Sequence, residues 1–343
     1  LNELFIKVYL SLIPIIPYFS LAFKTGSVLK LFSGNRTIVL LLLPVFLLLF
    51  HFLNYYNQFY SSSYIDIGLW TVFLGVGKMS TFWSAGFLVL LNAVILNVVF
   101  NRSNFFDRIT YLIAPCYVVL MSFFECAYFL NGVLISHTLF ALILQQLFDL
   151  GQNDNRKSSI FNVLCLAGVM ATFVPVFLLA IPLFFVVIRL IRPLEIRDIF
   201  IGVVAASLPF LYYFSAVYVF DGHPSFSLFD FNMTSGLKGD SFVLLGILSI
   251  SSIMGFSSFL SQWQKSSIRT KRQFQMLICL FLCFLVISVF YVLSFQHIEF
   301  FSLLLLPLCL LIPFAFRSQS IGMTTSSAFY LLLVFSVMKF FIF

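Results

Sequence analysis

Hydrophobic positions in this chain come in near-continuous stretches of roughly twenty residues, about what an α-helix needs to cross the hydrocarbon core of a bilayer. They cover residues 38–55, 82–100, 109–129, 132–150, 199–220, 241–260, 274–295, 300–316 and 324–343. Each predicts one membrane-spanning helix. Residues 159–191 form a longer run that holds Pro175 and Pro182. A proline lacks the backbone N–H that a helix interior needs, so this run is expected to split near Thr172–Pro175 into two short helices joined by a tight turn. The pattern therefore predicts an all-α, polytopic membrane bundle of about eleven helices.

Residues 1–27 form an apolar extension interrupted by Pro14 and Pro17. They make a twelfth helix if they span, and no small-residue cleavage site follows them, so they are expected to be retained. Residues 28–343 read as a single transmembrane helical domain, without an internal repeat or a low-complexity linker.

Basic residues test the division, because Lys and Arg collect in short cytoplasmic loops. With the segment before residue 38 inside and the loops alternating, 15 of the 19 Lys and Arg residues fall inside. They include Arg102, Arg108, Arg189, Arg192, Arg197 and the cluster Lys265, Arg269, Lys271 and Arg272. Asp66, Glu125, Asp221, Asp230, Asp240, Glu299, His223 and His297 fall outside. One wrong helix would invert every later loop, so this agreement supports the whole division. It predicts a multi-pass membrane protein with a basic inner and an acidic outer face.

Composition narrows the function classes. The chain is 62% hydrophobic and 9% charged, with 48 Phe and a mean hydropathy of +1.09. A soluble domain carries about 25% charged residues, so a soluble catalytic domain is excluded. The net charge of +7 reflects topology, and a nucleic-acid partner is not expected. Six cysteines lie in or at the edge of apolar runs without metal-ligand spacing, and read as small packing residues. No cofactor and no metal are expected.

Chemistry is expected on the outer face. The loop at 56–80 carries Tyr56, Tyr60, Tyr64 and Asp66, with an apolar patch at 65–76 suited to the membrane surface. The loop at 221–240 carries Asp221, His223 and Asp230. A loop carboxylate can act as a general base, and tyrosines and a histidine can bind a sugar or headgroup. Asp66 is the candidate base; Tyr56, Tyr60, Tyr64, Asp221, His223 and Asp230 are the candidate substrate contacts. Inside the spans, Asn92, Asn97, Gln145 and Gln146 suit hydrogen bonds between helices. His137 is a lone imidazole without a second ligand one turn away. His51 lies near an outer helix end beside Tyr55 and Tyr56, where an aromatic belt is ordinary. A transporter is disfavoured, since only Glu125 comes near to being a buried charge.

The stretch Leu29-Lys30-Leu31-Phe32-Ser33-Gly34-Asn35-Arg36 before a Leu-rich span resembles the start of an uncharacterised Bacteroidota family of polytopic inner-membrane proteins. So does Arg108-Ile-Thr-Tyr-Leu leading into Ala114-Pro115-Cys116-Tyr117, and the resemblance covers most of residues 28–316. The middle third is similar to the glycosyltransferase-C superfamily, in the order of Arg108, the paired short helices of 159–191 and the basic loop before Pro209. This resemblance implies a glycosyltransferase-C-like core, a lipid-linked sugar substrate and a catalytic acid near the outer end of the first core span. Asn54 stands at that helix end and cannot act as a base, so the role passes to Asp66. Cell-envelope assembly on a lipid-linked glycan is the leading expectation. A non-enzymatic subunit that packs on membrane-protein partners is the alternative, a transporter the second, and membrane lipids are partners in each.

Overall fold

A computed structural model describes residues 38–57, 69–70, 78–103, 105, 109–151, 156–220, 239–263, 266–295, 299–316 and 323–342. The N-terminal extension lies outside them. The described residues form eleven α-helices: α1 (Ile38–Asn57), α2 (Lys78–Arg102), α3 (Ile113–Met121), α4 (Gly132–Leu150), α5 (Arg156–Phe173), α6 (Ala180–Ile191), α7 (Ile196–Val219), α8 (Gly239–Trp263), α9 (Ile268–Phe295), α10 (Leu305–Leu311) and α11 (Met323–Ile342). Five of them, α1, α2, α4, α7 and α9, are long and apolar enough to cross a membrane.

The exposed surface of the bundle is apolar, and several polar side chains are buried inside an apolar core. On α1, Leu43, Leu47, Phe50, His51 and Asn54 make a buried stripe at helical spacing, while Leu48, Phe52, Tyr55 and Tyr56 face outward. On α7 the outward face holds Phe200 at 69% exposure and Tyr218 at 86%, and the buried face holds Asp198. A helix in water shows the reverse arrangement. This is the surface of a membrane protein, stable only where the surroundings are apolar.

The predicted break in the long run is present. Pro175 disfavours helical geometry at Val174, which is extended (φ −141°, ψ 101°), so α5 ends at Phe173 and a 3-10 segment, Pro175–Leu179, leads into α6.

Two runs expected as single helices are interrupted. Within 109–129, α3 is only nine residues long and gives way to a turn and a 3-10 segment, Glu125–Ala127. Within 300–316, α10 is flanked by 3-10 segments Glu299–Leu304 and Ile312–Phe316. Pro307 and Pro313 withdraw amide donors from that ladder, and Ser288 Oγ donates to the Phe300 carbonyl at 3.1 Å. Every residue of α3 and of α10 is buried. The two interrupted segments pack against each other, inside the shell of longer helices.

Small residues set the closest helix approach. A Cβ added to Gly168 of α5 would collide with the Ala206 carbonyl of α7, and one added to Gly202 with Leu164. The 65–76 patch is described only at Leu69 and Trp70, and these dock into the bundle: Leu69 is buried, and Trp70 Nε1 donates to Thr172 Oγ1 at 3.0 Å. At these two positions the chain packs on the bundle, where the indole N–H finds an acceptor and its ring lies against Phe173 and Tyr213.

Gly168→Ala forces the α5 and α7 backbones apart and is expected to cost about 1–3 kcal/mol. Gly246 on α8 has nothing within 4 Å of its added Cβ, and Gly246→Ala is expected to change stability by less than about 0.5 kcal/mol. Thermal unfolding of the two variants in detergent checks the contrast.

Candidate functional site

A polar side chain in an apolar interior is costly unless it finds a partner. One set of such groups gathers where α3 stops. The Ser122 carbonyl leaves the helix ladder and accepts from the Tyr128 hydroxyl at 2.8 Å and from the Lys339 ammonium. Ser122 Oγ donates back to the Val119 carbonyl at 2.7 Å. Lys339, in the last turn of α11, is buried, with its Nζ 4.7 Å from the Phe123 ring centre and 4.6 Å from that of Phe340. On the other side of Tyr128 lies His51, whose ring centre is 5.2 Å away and whose Nδ1 bonds to the Leu47 carbonyl at 3.2 Å. Gly86 leaves room for that imidazole. His51 is therefore an interior residue at 3% exposure and not part of an aromatic belt.

A second set of contacts leads inward from the same segment. Asn131 caps α4 through its Oδ1, which accepts from Leu134 N at 2.9 Å, and its Nδ2 donates to Glu299 Oε2 at 2.8 Å. Glu125 lies close enough to act on Glu299 through its charge. All three side chains are half-buried and lie at one end of a seam of polar contacts. Glu299 lies just ahead of the apolar run 300–316. Enclosure and the Glu125 carboxylate push its carboxyl up to about 8, against the lowering effect of the Asn131 bond. At neutral pH it keeps its proton.

The 3-10 winding carries the seam inward. Side chains at i and i+3 share one side of a 3-10 helix, so Ser302 follows Glu299 on the same side of the segment Glu299–Leu304. Cys126 Sγ donates to Ser302 Oγ at 3.8 Å. Ser302 Oγ bonds to His137 Nε2 at 2.8 Å, and His137 Nδ1 bonds to the Tyr117 hydroxyl at 2.9 Å. Tyr117, His137 and Ser302 are fully enclosed. A neutral imidazole has one N–H and one lone pair. The two bonds therefore share a direction: when Tyr117 donates to His137, His137 donates to Ser302, and reversing one reverses the other.

Asn92 is buried beside Tyr117, so its amide faces the α3 hydroxyl across the helix contact, outside ideal hydrogen-bond geometry. Among the described residues, no group of three His, Cys, Asp or Glu side chains can hold a metal ion.

Of the residues singled out on the outer loops, Tyr56 is described. It is exposed, its ring stacked on Phe52 with centres 6.4 Å apart. Asp66, Tyr60, Tyr64, Asp221, His223 and Asp230 lie outside the described residues. Tyr117, Ser122, Asn131 and Ser302 were not anticipated from the sequence. Asn131 ahead of Gly132 had the form of a helix cap, and Glu299-x-x-Ser302 becomes meaningful only once the segment is known to be 3-10.

Comparison with known proteins finds no match to a family model, a curated protein or a solved structure.

Tyr117→Phe and Ser302→Ala each leave one nitrogen of a buried imidazole without a partner, at a cost of about 1–3 kcal/mol. Because the two bonds share one ring, a double-mutant cycle of unfolding in detergent is expected to give a coupling of at least about 0.5 kcal/mol. Strict additivity would mean that the ring does not link them.

Proposed function

We propose that this chain is a multi-pass protein of the bacterial inner membrane, with eleven crossing segments, that acts on a lipid-linked sugar in cell-envelope assembly. In this reading the outer-face cluster of Glu125, Asn131 and Glu299 is the working site. The observation that carries it is the Asn131–Glu299 bond: two segments 168 residues apart meet there, beside a second carboxylate. The charge parity of the loops assigns this cluster to the same face as Asp66, Asp221 and Asp230. The resemblance to the glycosyltransferase-C superfamily points to the same substrate class.

The chemistry follows from the pair. Glu299 keeps its proton and can donate a hydrogen bond to a phosphate or leaving-group oxygen, while Glu125 or Asp66 accepts the proton of the attacking hydroxyl. Asn131 fixes the orientation of Glu299 and the cap of α4 together. The proton on Glu299 is lost as pH rises through about 8, so activity is expected to fall above that pH.

A transporter is the second reading. Its chief objection, the absence of buried charge, weakens with Lys339 buried in the bundle and an imidazole relay behind that cluster. A proton-linked carrier uses such groups.

In cells lacking the protein, lipid-linked sugars are expected to accumulate several-fold by mass spectrometry of lipid extracts. Wild-type protein clears them, and Glu299→Gln and Glu125→Gln each fail to. Full clearance by the double variant would sink the enzymatic reading. Proton movement into vesicles that needs His137 and a solute, with lipid-linked sugars unchanged, would favour the carrier.

A further inference from the structure

The end of the bundle away from the seam holds a cleft of about 410 Å³ between the last turn of α4, the end of α6 and the first turns of α9. Arg192, Arg272 and Gln273 line it together with apolar side chains that include Leu147, Phe148 and Met276. An adjoining hollow of about 440 Å³ shares Arg192 and Arg272 and adds Arg189. Gln273 is nine-tenths buried. The nearby carboxylates Glu195 and Asp198 close on each other's backbone in a capping box. None of the three guanidinium groups is paired with a carboxylate among the described residues.

Two arginines drawn to one cleft, with a third in the adjoining hollow, repel one another unless an anion joins them. A guanidinium offers two parallel N–H donors that match a phosphate. Beside the arginines the cleft lining includes the exposed Ile268, which suits an anion that carries hydrocarbon better than a free ion. Basic clefts between membrane helices hold anionic headgroups in this way.

We propose that this cleft binds the phosphate of an anionic phospholipid, held by Arg192 and Arg272 with Gln273 as a further donor. The acyl chain then leaves the cleft past Ile268, the exposed apolar side chain of its lining. Arg189 at the rim draws the headgroup in. The site is independent of the chemistry at the opposite end and rests only on the chain lying in a bilayer.

The test uses full-length protein, purified in detergent and stripped of lipid. Phosphatidylglycerol or phosphatidylethanolamine is added, and native mass spectrometry reads the bound fraction. Wild type is expected to retain phosphatidylglycerol at least ten-fold better than phosphatidylethanolamine. R192Q/R272Q is expected to lose that preference, and Arg102→Gln, at the same end but outside the cleft, to keep it. Should R192Q/R272Q fail to fold, Gln273→Leu is read instead and is expected to bind several-fold more weakly. Equal retention of the two lipids, or an unchanged preference in the variant that folds, overturns the proposal. So does displacement of phosphatidylglycerol by millimolar inorganic phosphate, since the ligand is then a soluble anion.

Discussion

A helix that stops inside an apolar bundle leaves carbonyls and amides that water cannot reach, and each must find a partner in the protein. The end of α3 at Met121 imposes this demand on the structure. The Ser122 carbonyl is met by a tyrosine from the following turn and a lysine from the last helix. Those two contacts tie α11 and the turn before α4 to the centre of the molecule. They also explain why a lysine lies where a membrane protein would ordinarily avoid one: its ammonium closes a broken ladder and rests over aromatic rings.

The same demand organises the neighbouring segment. Prolines 307 and 313 keep the 299–316 run from winding as one helix, and the two interrupted segments are packed face to face so that each shields the other's irregular backbone from lipid. Tyr117, His137 and Ser302 come from three separate elements and lock them with two hydrogen bonds around one ring. Around this centre the long helices need only shape. Gly168, Gly202 and Ala206 bring α5 and α7 close, and the outward faces are left to hydrocarbon.

The sequence shows the elements more clearly than the site, for a physical reason. Spanning length and apolar content are local properties, and α4 runs from Gly132 to Leu150, the bounds its hydrophobic run predicts. The effect of Pro175 is local too, and the split there was legible. The interruptions of α3 and α10 are not, because an apolar run has the same composition whether it winds as α or as 3-10. His137 looks solitary along the chain because its partners lie 20 residues before it and 165 after it. Lys339 reads as an outer-end cation and becomes an interior one only through packing. The acid positions on the loops were chosen by topology, whereas Glu125 and Glu299 stand out through a contact that no spacing announces.

The winding of residues 299–304 has a mechanical meaning. On a 3-10 helix Glu299 and Ser302 share one side; on an α-helix the same two residues stand about 60° apart. A local change of winding in this six-residue stretch would turn Ser302 away from the side of Glu299 without moving any long helix. The pitch of one short coil thus sets how a half-buried carboxyl and the partner of an enclosed imidazole are turned relative to each other.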